Sequence, residues 1–431
     1  MIKYIIIFLA VFNFSQIYAE NGVLFFVESA LKNNPKINAE RENLKSVKQN
    51  INISKSEFLP SLTISGSQES TKSTNIVDQD GSMSGETKRN TETTKISVDQ
   101  KIFQGFQGYN KFKKSHLELE KAEYEYKKIE QSIILKSISA YYDLIFKNQS
   151  KEFNLANVSL FERQVESDKS RLQKGEISLT DLAQSESSLA GAQANFIKAD
   201  TEYVSAVAEF EKITRISAPK NLENSYEVFF FMPESLNKAF KLSSKNNPSL
   251  AIARIELAIS EKELSVEKAK LSPSATLNYS KSENKDLSAT IDENDQETVK
   301  ATISWPIIKG GKNFSSIKKF KHKKEKNRLL LENTENEVKT QTATSWSFFQ
   351  SAESIFNSTA AQLKAAEIAN EGITLEYDSG STRTTLEVIQ SRSLLLEARI
   401  SHARAKKDLI VSKLQLLSQV GGLNLKSFQN P

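Results

Sequence analysis

Residues 182–213 read LAQSESSLAGAQANFIKADTEYVSAVAEFEKI. Leu182, Leu189, Phe196, Tyr203 and Phe210 recur at every seventh position, and three residues behind each stand Ser185, Ala192, Ala199, Ala206 and Ile213. A sustained seven-residue repeat keeps one seam of a helix turned toward a partner helix. Large side chains at one seam position and small ones at the other let the two helices interlock closely. A second stretch carries the same register, with Val388, Leu395, His402, Leu409 and Leu416 followed by Ser391, Ala398, Ala405, Ser412 and Gln419. His402 is read as a seam residue, because one His among apolar neighbours lacks the companions of a metal site.

That second stretch is one sign of a duplication, which a fixed offset exposes. Lys32-Asn33-Asn34-Pro35 recurs as Lys245-Asn246-Asn247-Pro248, and 248 − 35 = 213. Pro60-Ser61 recurs as Pro273-Ser274 at the same 213. Ile102-Phe103-Gln104-Gly105 matches Ile307-Ile308-Lys309-Gly310, where 310 − 105 = 205, and Gly175 matches Gly380 at 205. The change of offset predicts a loop eight residues shorter in the second copy, between the positions of Pro60 and Gly105.

Proline placement shows how each copy is built. Residues 61–218 and 307–430 contain no proline, and proline breaks helix interiors. Both stretches are rich in residues that helices accept. Helices are expected over about 109–174 and 179–215, and again over about 312–377 and 384–420. The longer ones would run roughly 100 Å at 1.5 Å per residue, a length that suits a coiled coil better than a compact domain.

Between the prolines and these helices the period changes to two. Leu62, Ile64 and Gly66 alternate with Thr63, Ser65 and Ser67, while Ile96, Val98, Gln100 and Ile102 alternate with Ser97, Asp99 and Lys101. Ala275, Leu277 and Tyr279, and then Val299, Ala301, Ile303 and Trp305, repeat the pattern in the second copy. Four strands with one apolar and one polar face are expected, at about 61–68, 93–103, 274–281 and 297–306. The polar stretches at about 68–92 and 282–296 read as exposed loops. Tyr279 and Trp305 are candidates for an interfacial aromatic girdle.

At the start, Lys3 precedes an apolar run from Tyr4 to Phe14 that ends in Ile17-Tyr18-Ala19. This is the pattern of a secretory signal peptide over 1–19, too short to span a bilayer as a helix. The chain has no Cys, so no disulfide framework is expected in an exported protein. The net charge of +5 is small against 58 basic and 53 acidic residues and argues for no nucleic-acid partner. The organisation expected is a first repeat over 20–218, a linker over 219–232, a second repeat over 233–423 and a tail over 424–431.

Four strands cannot close a barrel alone, and lipid does not tolerate an open sheet edge. Three copies would supply twelve. The order helix, Asn-Pro, helix, Pro, strand, loop, strand, long helix, Gly, helix, present twice, resembles the TolC-type outer-membrane efflux proteins from about Glu20 to Leu423. The resemblance implies a mainly α fold with β. A homotrimer would form a twelve-stranded outer-membrane β-barrel continued by a long periplasmic α-helical coiled-coil barrel. It also implies an exit duct of a tripartite efflux or type I secretion system. Its partners would be outer-membrane lipid, a periplasmic adaptor and an inner-membrane pump, either proton-driven or of the ABC type.

The resemblance extends to the helix–helix turns. Gly175-Glu176-Ile177-Ser178-Leu179-Thr180-Asp181 is similar to the family's first turn, and implies Thr180 and Asp181 as periplasmic gate residues. Tyr377-Asp378-Ser379-Gly380-Ser381-Thr382-Arg383-Thr384 is similar to the second, and implies Tyr377 and Arg383 there. By chemistry alone, Arg383 offers a fork of donors to Asp181, and Tyr377 adds its hydroxyl. The second turn is one residue longer than the family pattern. Glu387 and Gln390 fall where the family carries pore-facing carboxylates, so one carboxylate ring is expected at the constriction and one is lost.

The remaining motifs point elsewhere only weakly. Lys318-Lys319-Phe320-Lys321-His322-Lys323-Lys324 reads as a solvated helix face. Asp292-Glu293-Asn294-Asp295 lacks the spacing and glycine of a calcium loop, and Gly310-Gly311-Lys312 lacks the upstream glycine of a phosphate loop. No nucleophile–base arrangement is visible, so neither enzyme activity nor a cofactor is expected. The competing reading is a periplasmic coiled-coil adaptor or scaffold without a pore, which explains the heptads and leaves the four amphipathic strands unexplained.

Overall fold

The computed structural model describes residues 22–77, 79–219, 232–288, 291–379 and 383–425. The expected signal peptide, Gly380 and most of the expected linker and tail lie outside the described residues. The elements in order are α1 (Gly22–Asn33), α2 (Pro35–Ser56), β1 (Ser61–Ser73), β2 (Ile76–Val77), β3 (Met83–Ser84), β4 (Thr87–Phe103), α3 (Gln107–Gln173) and α4 (Leu179–Thr214). Then follow α5 (Leu236–Asn246), α6 (Pro248–Ala269), β5 (Ser274–Ser288), β6 (Ile291–Ser304), α7 (Lys312–Asp378) and α8 (Thr385–Gln419). The second copy repeats the first element for element, apart from the small β2–β3 hairpin. The paired helices α2 and α6 have 22 residues each, and α3 and α7 have 67 each. Among the described residues no helix is apolar enough over its length to cross a membrane.

The chain divides into two compact units, one made of 1–42, 124–251 and 334–431, the other of 43–123 and 252–333. The second unit holds an antiparallel sheet of order β1-β4-β5-β6. Cross-strand neighbours share a face, so Leu62 with Val98, Tyr279 and Val299 forms one apolar row, and Ile64 with Ile96 forms part of the next. Lys101, Thr276 and Thr302 share the opposite, polar face. A bulge near the end of β4 places both Lys101 and Phe103 against consecutive residues Thr276 and Ala275. The extra residue is Ile102, expected on the apolar face with Val98 and Gln100; the bulge leaves it unpaired and resets the alternation, so that Phe103 joins Ala275 and Ile303 on that face instead.

The strands are longer than expected. Most of 68–92 and 282–296, read as loops, continues the ladder: Lys285 pairs with Glu293, Ser70 Oγ donates to Asn90 Oδ1 at 2.7 Å, and Thr93 Oγ1 donates to Asn284 Oδ1 at 2.9 Å. These segments are polar on both faces, so the apolar alternation that marks a half-buried strand is missing although the backbone pairs. β6 ends at Ser304, just before Pro306, which has no N–H to continue a ladder. In the helical part of this unit, Lys323 pairs with Glu263 at 2.6 Å and Lys324 with Glu261 at 2.8 Å. Part of the basic run is therefore neutralised by α6.

The first unit is helical. The Asn-Pro repeat explains its corners. Pro35 and Pro248 open α2 and α6 at the position where a missing N–H costs nothing. The Asn before each caps the new helix, Asn34 Oδ1 accepting from Lys36 N at 3.0 Å and Asn247 Oδ1 from Ser249 N at 2.9 Å. The same two amides donate to the end of a long helix, Asn34 to the Ile213 carbonyl at 3.0 Å and Asn247 to the Gln419 carbonyl at 2.8 Å. Each Asn thus satisfies an opening and a closing helix at once. Nearby, Val27, Ile134, Ile138, Leu144, Phe210, Leu414 and Leu416 form the core, with Phe26 stacked on Tyr141 at 5.5 Å.

Along the heptad helices the small set is buried throughout: Ser185, Ala192, Ala199 and Ala206, and Ser391, Ala398, Ala405 and Ser412. The large set is buried only toward the helix ends, at Leu182, Phe210, Val388 and Leu416, and half-buried between, at Leu189, Phe196, Tyr203, Leu395 and Leu409. In mid-helix the seam therefore closes on its small residues, and the large ones flank it. His402 sits on this seam, stacked on Phe356 at 5.1 Å.

Gly421 marks how tightly the second corner closes. Its φ is +70°, and a Cβ there would collide with the Asn246 carbonyl. Gly421→Ala should cost on the order of 1–3 kcal/mol and lower the denaturant midpoint. Gly66→Ala, with open space around it, should leave the midpoint unchanged.

Candidate functional site

The two helix–helix turns lie in the helical unit and are built alike. α4 opens on a capping box in which Asp181 N donates to Ser178 Oγ at 3.2 Å and Ser178 N returns a bond to Asp181 Oδ2 at 2.9 Å. α8 opens the same way, Glu387 N donating to Thr384 Oγ1 at 3.3 Å and Thr384 N to Glu387 Oε2 at 2.8 Å. The offset is 387 − 181 = 206, one more than the 205 before the turn, which places the extra residue inside the second turn. Asp181 and Glu387 are thus the same position in the two copies. The Ser178 hydroxyl and then its backbone N–H hold Asp181 below the usual carboxylate range. The Thr384 backbone N–H and then Arg383 do the same for Glu387.

These caps decide what the expected gate residues touch. Arg383 does not reach Asp181 in this chain. Its Nε donates to Glu376 Oε2 at 2.6 Å and one terminal nitrogen donates to Glu387 Oε1 at 2.9 Å. The reason is local: the longer turn sets Arg383 four residues before Glu387, within reach along the same helix end, and Asp181 is already held by its own cap. Glu376 and then Glu387 raise the Arg383 pKa further. Thr180 and Gln390 are exposed, and neither side chain is hydrogen-bonded among the described residues.

Tyr377 is buried, and it finds a different carboxylate. Its hydroxyl donates to Asp168 Oδ1 at 3.2 Å and lies 3.1 Å from Thr385 Oγ1. Asp168 is completely buried and accepts two further bonds, from Gln164 Nε2 at 3.0 Å and from Ser185 Oγ at 2.6 Å. Gln164 Oε1 accepts in turn from Arg392 at 3.1 Å, and the Arg171 guanidinium lies 4.7 Å over the Tyr377 ring. Burial pushes the Arg392 pKa down, while Asp378, Asp168 and Tyr377 oppose that shift, and an Arg stays protonated regardless.

This node draws on α3 (Gln164, Asp168, Arg171), α4 (Ser185), α7 (Tyr377) and α8 (Thr385, Arg392). A buried carboxylate costs several kcal/mol unless its oxygens are fully bonded, and here both are. The node therefore holds while the four helices keep this arrangement, and a shift of any one strands a buried charge. Sequence reasoning found Tyr377 and listed Ser185 only as a small seam residue. Asp168 carried a legible signal: it follows Val158, Phe161 and Val165 at alternating spacings of three and four, where the seam calls for an apolar side chain. Among the described residues no group of His, Cys, Asp or Glu is arranged to hold a metal ion.

Comparison with known proteins adds the family. The model of the outer membrane efflux protein family matches residues 26–214 and again 240–422, one match on each copy. The chain is similar to the outer membrane efflux protein BepC of Brucella suis, 24% identical and covering 91% of this chain and 83% of that protein. It is also similar to the outer membrane protein TolC of Escherichia coli, 22% identical over 97% of this chain and 86% of that protein. Its fold is that of the CmeC outer membrane channel of Campylobacter jejuni, with a TM-score of 0.80, 16% identity, and coverage of 93% of this chain and 85% of that one. With both copies matched by the family model, the chain belongs to the outer membrane efflux protein family.

Proposed function

We propose that this chain is one subunit of a homotrimeric exit duct. A twelve-stranded barrel would cross the outer membrane and a helical tube would enter the periplasm. The duct would conduct cargo passively from an adaptor and an inner-membrane pump, and it would carry out no chemistry of its own. Assembly is supported by what a single chain leaves open. β1 and β6 are both edges of the sheet, and α7 exposes Phe314, Leu329, Phe348, Ile355, Ile368 and Leu375. A second copy of the chain is the natural cover for both.

The observation that carries the gating part of this reading is the Asp168 node. The turns it joins would form the closed periplasmic tip, and opening would require α7 and α8 to part from α3 and α4. The Asp168–Tyr377 bond would then be the latch within each subunit, in place of an Arg383–Asp181 link. Arg383 and Glu387 act at the constriction instead. Three copies of Glu387 favour cations, and each Arg383 beside it offsets that preference.

Single-channel conductance of the mature protein in planar bilayers tests this directly. Small, cation-preferring currents are expected, and Asp168→Ala and Tyr377→Phe should enlarge them. Arg383→Ser should raise cation preference with a smaller gain in conductance. Protein that stays soluble without detergent and never conducts would replace the duct with a periplasmic scaffold. Currents that none of the variants alters would keep the duct and remove the latch.

The caps give a pH dependence. Both carboxylates are held below the usual range in the folded chain, so their stabilisation is complete near neutral pH. It fades as pH falls through those lowered values. Amide exchange at the first turns of α4 and α8, corrected for its intrinsic pH dependence, should rise on acidification. Asp181→Asn and Glu387→Gln should each flatten the response of their own helix.

A further inference from the structure

The apolar face of the sheet is too short on its β6 side for the bilayer it would cross, although on β1 and β4 it continues one row higher, through Ile64 and Ile96. On β6 it runs from Val299 through Ala301 and Ile303 to Trp305 just beyond the strand, and the next residue up on that face is Glu297, paired with Lys281. The six steps from 299 to 305 at about 3.4 Å each span roughly 20 Å along the strand, and a tilt of about 35–45° reduces this to roughly 15 Å of depth. Barrels of this kind present an apolar band about 25 Å tall. The shortfall has to be made up below, because Glu297, Glu283 and Asp295 stand above.

Below the sheet lie the crossovers into α3 and α7, and they are apolar where they are exposed. Phe103 continues the apolar face by virtue of the bulge, and Phe106 packs edge-on against it with ring centroids 5.7 Å apart. Phe106 is 68% exposed, and in the second copy Ile307 and Ile308 are 70% and 83% exposed. Comparison of the copies singles out Phe106. Gly105 and Gly310 both adopt left-handed backbone, φ +60° and +54°. The next residues are equivalent, since 311 − 106 = 205, and both are left-handed too: Gly311 at φ +77° and Phe106 at φ +67°. One copy uses the residue that suits this conformation. The other keeps a bulky aromatic where the backbone is strained and the ring is uncovered in the single chain.

We infer that the crossover carrying Phe103 and Phe106, with Ile307 and Ile308 of the second copy, is immersed in the acyl chains of the periplasmic leaflet. The membrane boundary then lies below the strand ends, and the charged upper parts of the ladder stand outside the bilayer. The occupant is phospholipid hydrocarbon, by continuity with the apolar sheet face. The inference rests on the proposed outer-membrane barrel, and its test separates the two.

The chain has two tryptophans, Trp305 and Trp346. With both replaced by Phe, single tryptophans at Phe106→Trp, Phe103→Trp and Val299→Trp are compared in the full-length trimer reconstituted in phosphatidylglycerol–phosphatidylcholine vesicles. Quenchers are lipids brominated near the headgroup end or the methyl end of the chains, and aqueous iodide. The reporters at 106 and 103 should lose most of their emission to lipids brominated near the headgroup end and little to iodide. Quenching by iodide alone, or by neither agent because a neighbouring subunit covers the site, overturns the inference when the reporter at 299 is still quenched by lipid. Loss of lipid quenching at 299 as well removes the barrel reading itself. If Phe106→Trp fails to fold, Phe103→Trp decides the matter.

Discussion

A β-sheet with two open edges cannot reside in hydrocarbon, and this constraint organises the rest of the molecule. Each backbone N–H or C=O left without a partner in lipid costs several kcal/mol. The sheet ends in β1 on one side and β6 on the other, and among the described residues neither has a further partner strand. In the proposed duct the edges would be joined between copies. With strands shared in a ring, the helices that continue from them would be brought together as well, and the exposed apolar residues of α7 would become contacts between subunits. A four-stranded sheet and a 67-residue helix with three residues buried in the isolated chain are parts of one incomplete object.

Duplication supplies that object economically, and the departures from exact repetition show where the copies do different work. The Asn-Pro corners, the capping boxes and the paired left-handed residues before α3 and α7 recur in both halves, because each solves a backbone problem that both halves share. The copies part at the helix–helix turns, where one added residue moves Arg383 next to Glu387. They part again at Phe106 and Gly311. A backbone requirement alone would keep glycine at both of the latter positions, so the side chain at 106 has a task that the backbone does not set.

Much of this was legible in the sequence. The offsets of 213 and 205 revealed the duplication, proline spacing located the long helices, and the heptads located the seams, because each reflects a local rule that one chain segment must obey. The upper halves of the strands were not legible, since residues polar on both faces leave no period-two contrast. The candidate gate was half legible. Tyr377 stood in a turn similar to the family's, but its partner Asp168 lies 209 residues away, near the C-terminal end of α3 and outside either turn motif. Two further facts were settled by three-dimensional geometry alone: Asp181 is consumed by its own cap, and Arg383 by carboxylates of its own helix pair. A turn sequence lists the charges available and does not say which neighbour claims each.

The chemistry of the Asp168 node suits the parting of helices that the proposed gating requires. An apolar side chain at 168 would continue the seam from Phe161 and Val165 and bind the helices by burial, a force without direction that yields only gradually as surface is exposed. A carboxylate bonded by Gln164, Ser185 and Tyr377 behaves differently. Its stabilisation depends on all of those donors staying within hydrogen-bond distance, and the loss of one leaves a buried charge short of a partner. Water can take the place of the donors once the helices separate. The closed arrangement is then well defined, and a carboxylate at 168, unlike an apolar side chain there, adds no newly exposed apolar surface to the open one. Those are the properties of a two-position latch, and they follow from one acidic residue placed where the heptad pattern calls for a hydrophobic one.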